Sequence, residues 1–253
     1  MTKPTPAPTF TQTHVFFLAL AGLFLLLAWD HSSLDLSMAR WFGSATGFPL
    51  ENHWFWRGIL HDGLRPLPWL LELGLLLAIV RPVGALTQLS ALRRSQLALT
   101  TLVALLLVSN IKLHSSTSCP WSLHDFGGAA RYVSHWVWSM RDGGDGGCFP
   151  AGHASAGFAF IGGFFVFRKV LPKTAARWFA GAMLTGLLLG FAQQVRGAHY
   201  MSHTLWTAWF CWVTAVVLDL GYNVVSRLIS QTPLRGPAQV PGLSGPKPLM
   251  RPE

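Results

Sequence analysis

Three short stretches carry side chains whose types and spacing could do chemistry. The first is CFPAGHASAG, Cys148 to Gly157, which turns a glycine-rich run (143–147) into an apolar segment. Pro150 suits a first helical turn, where its missing N–H would be unpaired anyway. The N–H groups of Ala151 and Gly152 can meet an anion at such a helix start. His153 beside them can move a proton near neutral pH. The second stretch is RGAHYMSH, Arg196 to His203. His199 and His203 are four apart and share a face on a helix, and Arg196 lies three before His199. Two histidines and an arginine with no acid among them read as an anion site. The third stretch is Lys112 to Pro120, where Lys112 ends an apolar run. A lysine there either snorkels to the interface or joins the anion site.

Composition sets what these residues stand on. The chain has 253 residues, 51% hydrophobic and 11% charged, with 12 Trp and 17 Phe. Soluble domains carry about 25% charged residues, so the chain reads as a membrane protein. Its net charge of +9 does not point to nucleic acid, because the basic residues sit in short loops and form no stripe with interleaved aromatics. Six apolar spans follow one another: 15–29, 66–80, 96–111, 151–167, 178–195 and 203–225. Several approach the ~20 residues needed to cross ~30 Å of hydrocarbon. The expected fold is all-α, a polytopic six-helix membrane bundle, with an interfacial helix near 34–42. Residues 1–14 form a polar N-terminus, and 226–253 a proline-rich tail with no apolar period.

Six crossings put both termini on one side. Twelve of the 19 Lys and Arg then fall on the terminal side and seven on the other. Basic residues favour the cytoplasm, so the termini are expected inside and the His153 face outside. In a bacterium that is the periplasmic face of the inner membrane. Cys119 and Cys148 both lie on that oxidising side and read as a disulfide or as two free thiols. Cys211 sits mid-helix as a small apolar filler.

In order and spacing the three stretches resemble the type 2 phosphatidic-acid phosphatase superfamily, over about residues 96–220. The family pattern is KxxxxxxRP, PSGH and SRxxxxxHxxxD. Lys112, Pro120, Pro150, Gly152, His153 and His199 match it. Cys119 and Gln193 stand where the family has arginines, Ala151 where it has Ser, and His203 where it has Asp. The resemblance implies a six-helix core with both termini inside and hydrolysis of a lipid phosphate monoester or diphosphate. In that scheme His199 is the nucleophile and His153 the acid and base. Lys112, Arg196 and the backbone at Ala151 and Gly152 hold phosphate. Arg196, one helical turn from Gln193, supplies a missing positive charge, and His203 orients His199. No cofactor or metal is called for; the partners are the lipid substrate and the surrounding lipids.

Other readings stay open on the residues alone. A lipid-phosphate binder or transporter would keep the anion site without turnover. The His199 and His203 pair with His153 could hold zinc, although no HExxH pattern accompanies it. Ser155 in GHASAG could serve an intramembrane serine protease. Glu72 and Asp219 lie inside spans and are left out of the site.

Overall fold

The computed structural model describes residues 12–137 and 140–231. The expected N-terminus and tail lie outside these residues except for 12–14 and 226–231, which belong to helices. The described chain is all-helical. Its long helices are α1 (Gln12–Asp30), α3 (Leu67–Val80), α4 (Ala91–His114), α7 (Pro172–Val195) and α8 (Met201–Gln231). The short α2 (Leu34–Ala39) falls at the expected interfacial helix. Five helical stretches are long and apolar enough to cross a membrane, the second being the whole run Trp54–Gln88 around α3.

The fourth expected span, 151–167, differs in kind. It is a shorter apolar segment, Gly152–Phe167. It alternates 3-10 turns with two short helices, α5 (Ser155–Phe158) and α6 (Gly162–Phe167). Glycines at 157, 162 and 163 weaken a continuous helix there and let neighbouring backbones come close. The helical turn also starts at Gly152, two residues after Pro150. The fifth span begins earlier than its apolar run, at Pro172, because Pro172 occupies the first turn and residues 173–177, with Lys173, Thr174 and Arg177 among them, form helix ahead of Trp178.

The core explains which helices hold the site. Phe158, Ile161 and Phe165 of the fourth segment pack with Leu105 and Val108 of α4, Ala182 of α7 and Ala215 of α8. α4, α7 and α8 therefore converge on the segment that carries His153. α1 and α3 pack at its edge, against α8 and α4 respectively, and only Val15 of α1 reaches this core among the described residues of these two helices. Apolar side chains such as Phe17, Phe24, Leu70 and Leu77 remain exposed on them, as suits helices that face lipid. Two half-buried indoles find carbonyl acceptors: Trp209 Nε1 donates to Ala19 O at 2.9 Å and Trp178 Nε1 to Phe160 O at 2.7 Å.

The far end of the bundle is closed by ion pairs. Asp219 on α8 meets Arg93 at 3.2 Å and Arg168 at 2.6 Å, and Gln96 Nε2 donates to it at 3.1 Å. A buried carboxylate with two guanidinium partners is satisfied, so Asp219 clamps α4, the end of α6 and α8 together. Glu72 is buried on α3, and neither carboxylate oxygen has a hydrogen-bond partner among the described residues.

Two features were not foreseen from the sequence. Residues Trp54–Gly63 form a π-helical segment ahead of α3. The wide helical turn carries Leu60, His61 and Asp62 toward the fourth segment. The 113–150 segment is fastened rather than loose. Asp142 is buried and accepts from Ser118 N at 2.6 Å and Ser118 Oγ at 2.7 Å. Cys148 N donates to Thr117 O at 2.9 Å and Gly147 N to Ser115 O at 2.8 Å.

Candidate active site

Lys112 occupies the last turn of α4. Its ammonium donates to Gly147 O at 2.6 Å. That carbonyl sits next to Cys148, which is disulfide-bonded to Cys119 with Cα atoms 5.2 Å apart. The disulfide alternative is thus the one the structure holds, and it fastens the stretch after Lys112 to the stretch before His153. Gly152 faces the stem of Lys112. A Cβ there would lie 3.1 Å from Lys112 Cδ, so glycine leaves the lysine its path into the site.

His153 follows in the same turn. Its Nε2 lies 2.5 Å from Leu60 O. A carbonyl can only accept, so Nε2 carries the proton and Nδ1 is left for exchange with a ligand. The His61 ring lies 5.0 Å from the His153 ring, centroid to centroid. His61 Nδ1 is 2.7 Å from Asp62 Oδ1.

The third stretch follows α7. Gly197 has φ of +74°, and a Cβ on it would collide with the Phe48 ring. It ends the helix as a left-handed glycine cap. Ala198 N donates back to Gln193 O at 2.9 Å. The turn aims Arg196 inward, where it is only 5% exposed. Arg196 Nη1 donates to Gln193 Oε1 at 2.8 Å and Nε to Glu51 O at 2.8 Å. The residue that stands where the family has arginine therefore holds the arginine one turn away. Burial, then the charge of Arg57, pulls the Arg196 pKa below its ordinary value. A guanidinium remains charged even so.

His199 is buried, and its Nδ1 has no hydrogen-bond partner among the described residues. Burial first, then the charges of Lys112 and His203, pushes its pKa well below the ordinary 6.5. The imidazole is neutral at pH 7 and keeps its lone pair. His203 sits in the first turn of α8, its ring 5.8 Å from that of His199 and inclined by 66°. The contact is ring edge to ring face. The other rings around His203 are Tyr200, Phe149 and His135.

A cavity of about 490 Å³ gathers Lys112, Gly152, His153, Arg196 and His199. No Asp or Glu among the described residues lines it. Two expected site residues lie outside its lining. Ala151 is fully buried, and its N–H donates to His203 O at 3.2 Å, so that donor is already used within the protein. His203 stands behind His199. The lining also includes His61, Arg65 and Trp69, which the sequence reading passed over. His61 and Arg65 are four apart just before the second span, a visible signal, but no motif surrounds them and Arg65 counted only as a topology charge.

His135, from the 113–150 segment, is stacked on Phe149 at 4.2 Å and lies 3.3 Å from Asp30 Oδ2 at the end of α1. Trp136 and Trp206 donate to the same oxygen at 3.0 and 2.9 Å. Asp35 caps the start of α8 by accepting from Ser202 N at 3.0 Å. Burial raises the Asp35 pKa against the lowering effect of its hydrogen bonds. These acids hold the helix ends nearest the cavity and do not line it.

No curated protein and no solved structure matches the chain. A family model does: the PAP2 superfamily, over residues 95–226. That stretch includes Lys112, His153, Arg196 and His199. The chain belongs to the PAP2 superfamily, a family of phosphatases.

Proposed function

We propose that the protein is a membrane phosphatase that hydrolyses a lipid phosphate monoester or diphosphate through a phosphohistidine, without a metal. The observation that carries this reading is one cavity lined by a neutral buried histidine, two further histidines and three cationic side chains, with no carboxylate among the described residues. A carboxylate-free site of this charge attracts phosphate and spares the nucleophile a competing anion. An apolar groove of about 400 Å³ between α3 and α7 shares Ala156 with that cavity. Leu67, Leu71, Phe160 and Trp178 line it. It supports a substrate whose phosphate enters the cavity while its chain stays in the bilayer.

The reaction runs in two steps. A ring nitrogen of neutral His199 attacks phosphorus as the bond to the leaving oxygen breaks. Protonated His153 gives a proton to that oxygen. Neutral His153 then takes a proton from water, which attacks the phosphohistidine, and phosphate leaves. Lys112 and Arg196 hold the equatorial oxygens as charge develops. His203 orients His199 from behind. The site would face the periplasm, with the termini in the cytoplasm, in a bacterial inner membrane.

A binder that keeps the anion site without turnover is the second reading. It is favoured by His199 Nδ1, which has no hydrogen-bond partner among the described residues. A phosphate-release panel separates the two. Purified protein in detergent, given lipid monophosphates and diphosphates with and without chelator, should release inorganic phosphate at equal rates in both arms. Lipid binding with no release from any substrate would leave the binder. Loss of release on chelation, restored by zinc, would overturn the metal-free mechanism.

A further inference from the structure

The cavity extends well past the groups that the proposed chemistry uses. Its inner wall holds His199, Lys112 and Arg196. Its other wall comes from the π-helical segment and the start of α3, as His61, Arg65 and Trp69. These residues precede the stretch 95–226 that the family model matches. They belong to this chain's own way of roofing the site.

Their chemistry is that of a second anion site. His61 has its Nδ1 at 2.7 Å from Asp62 Oδ1, so Nδ1 carries a proton toward the carboxylate. A His fixed in this way presents its other nitrogen to a ligand. Arg65 lines the cavity and makes no hydrogen bond or ion pair to protein among the described residues. Asp62 is drawn aside by Arg57, at 3.7 Å, and by His61. The roof thus offers Arg65 as an uncommitted guanidinium and His61 as a buttressed imidazole, and neither faces an acid within the cavity.

Their position assigns the part of the ligand they meet. His61 packs ring to ring on His153, 5.0 Å away. In the proposed mechanism His153 protonates the leaving oxygen. The roof therefore lies on the leaving-group side of phosphorus, opposite the nucleophile. Anion-binding groups on that side gain most when the leaving group is itself anionic. A lipid alcohol is not, whereas a lipid phosphate is.

We infer that His61 and Arg65 form a subsite for a second phosphoryl group, and that the preferred substrate is a lipid diphosphate cleaved between its phosphorus atoms. His199 forms a bond to the terminal phosphorus. The bond from that phosphorus to the bridging oxygen breaks, and the electron pair stays on that oxygen, now part of the lipid monophosphate. His153 supplies its proton. Water then releases the terminal phosphate from His199 and returns a proton to His153. The inner phosphate rests on Arg65 and His61 throughout. A guanidinium suits it because its planar fork can meet two phosphate oxygens.

The inference rests on the phosphatase reading, and the test separates the two. Farnesyl diphosphate and farnesyl monophosphate carry the same chain and differ by the second phosphate. Phosphate release from each by the full-length protein in detergent gives the ratio of their kcat/KM values. The wild-type ratio should favour the diphosphate by about tenfold or more, in keeping with a charge-assisted contact. Arg65→Gln and His61→Gln should each lower that ratio about tenfold. If a variant does not fold, inhibition of the wild type decides in its place: methylenediphosphonate should inhibit at least about ten times more strongly than methylphosphonate. A wild-type ratio of one or below, a ratio untouched by both substitutions, or equal inhibition by the two phosphonates would overturn the subsite while leaving the phosphatase standing. No release from either substrate would overturn both.

Discussion

His199 illustrates how one residue's surroundings set its chemistry. Its burial and the charges of Lys112 and His203 keep it unprotonated, which is the form a nucleophile needs. The sign follows directly. Activity that depends on neutral His199 is full above its pKa and falls only as pH drops through that lowered value. The acid limb of kcat/KM should therefore lie below the ordinary 6.5. Measuring kcat/KM across pH checks this, and an acid limb above 6.5 would contradict it. Most of the residues that line the candidate site's inner part were legible in the sequence. Lys112, His153 and His199 stand at spacings that bring three helix ends to one face, and Arg196 lies a turn from Gln193. Ala151 was not legible, because its N–H is consumed by His203 O, a contact between distant stretches. His61 and Arg65 were missed because only the fold, not their spacing, brings them over His153.

At the scale of elements, the disulfide joins what the helices leave apart. Cys119 and Cys148 are separated by 29 residues and join the end of the Lys112 stretch to the loop before His153. Without it, Gly147 O would hold Lys112 only through a long polar segment. Denatured, non-reduced protein should show one alkylatable thiol, Cys211, out of three cysteines; three would contradict the pairing. Replacing both bonded cysteines by Ala should cost about 3–4 kcal/mol by loop-closure entropy, read as a lower unfolding temperature. The long spans were legible from their apolar runs. The broken fourth segment was not, since an apolar run does not say whether its glycines interrupt the helix. The π-helical segment was hidden for a related reason. Its aromatic and polar residues have no period that separates a wide turn from a loop.

At the scale of the molecule, an apolar bundle carries the proposed anion site at one end and the Asp219 clamp at the other. Arg93 and Arg168 serve twice, as partners of Asp219 and as part of the basic excess on the side expected to be cytoplasmic. That excess of twelve to seven predicts that a reporter fused after Glu253 is active only as a cytoplasmic reporter. Activity of a periplasmic reporter at that position would invert the bundle. The central claim is that phosphate passes through His199. Rapid quench of the protein with a lipid substrate labelled in its terminal phosphate tests it most directly. The account predicts a base-stable, acid-labile label on the wild-type chain that maps to His199, with no label and no turnover in His199→Asn. Wild-type turnover by His199→Asn would contradict it.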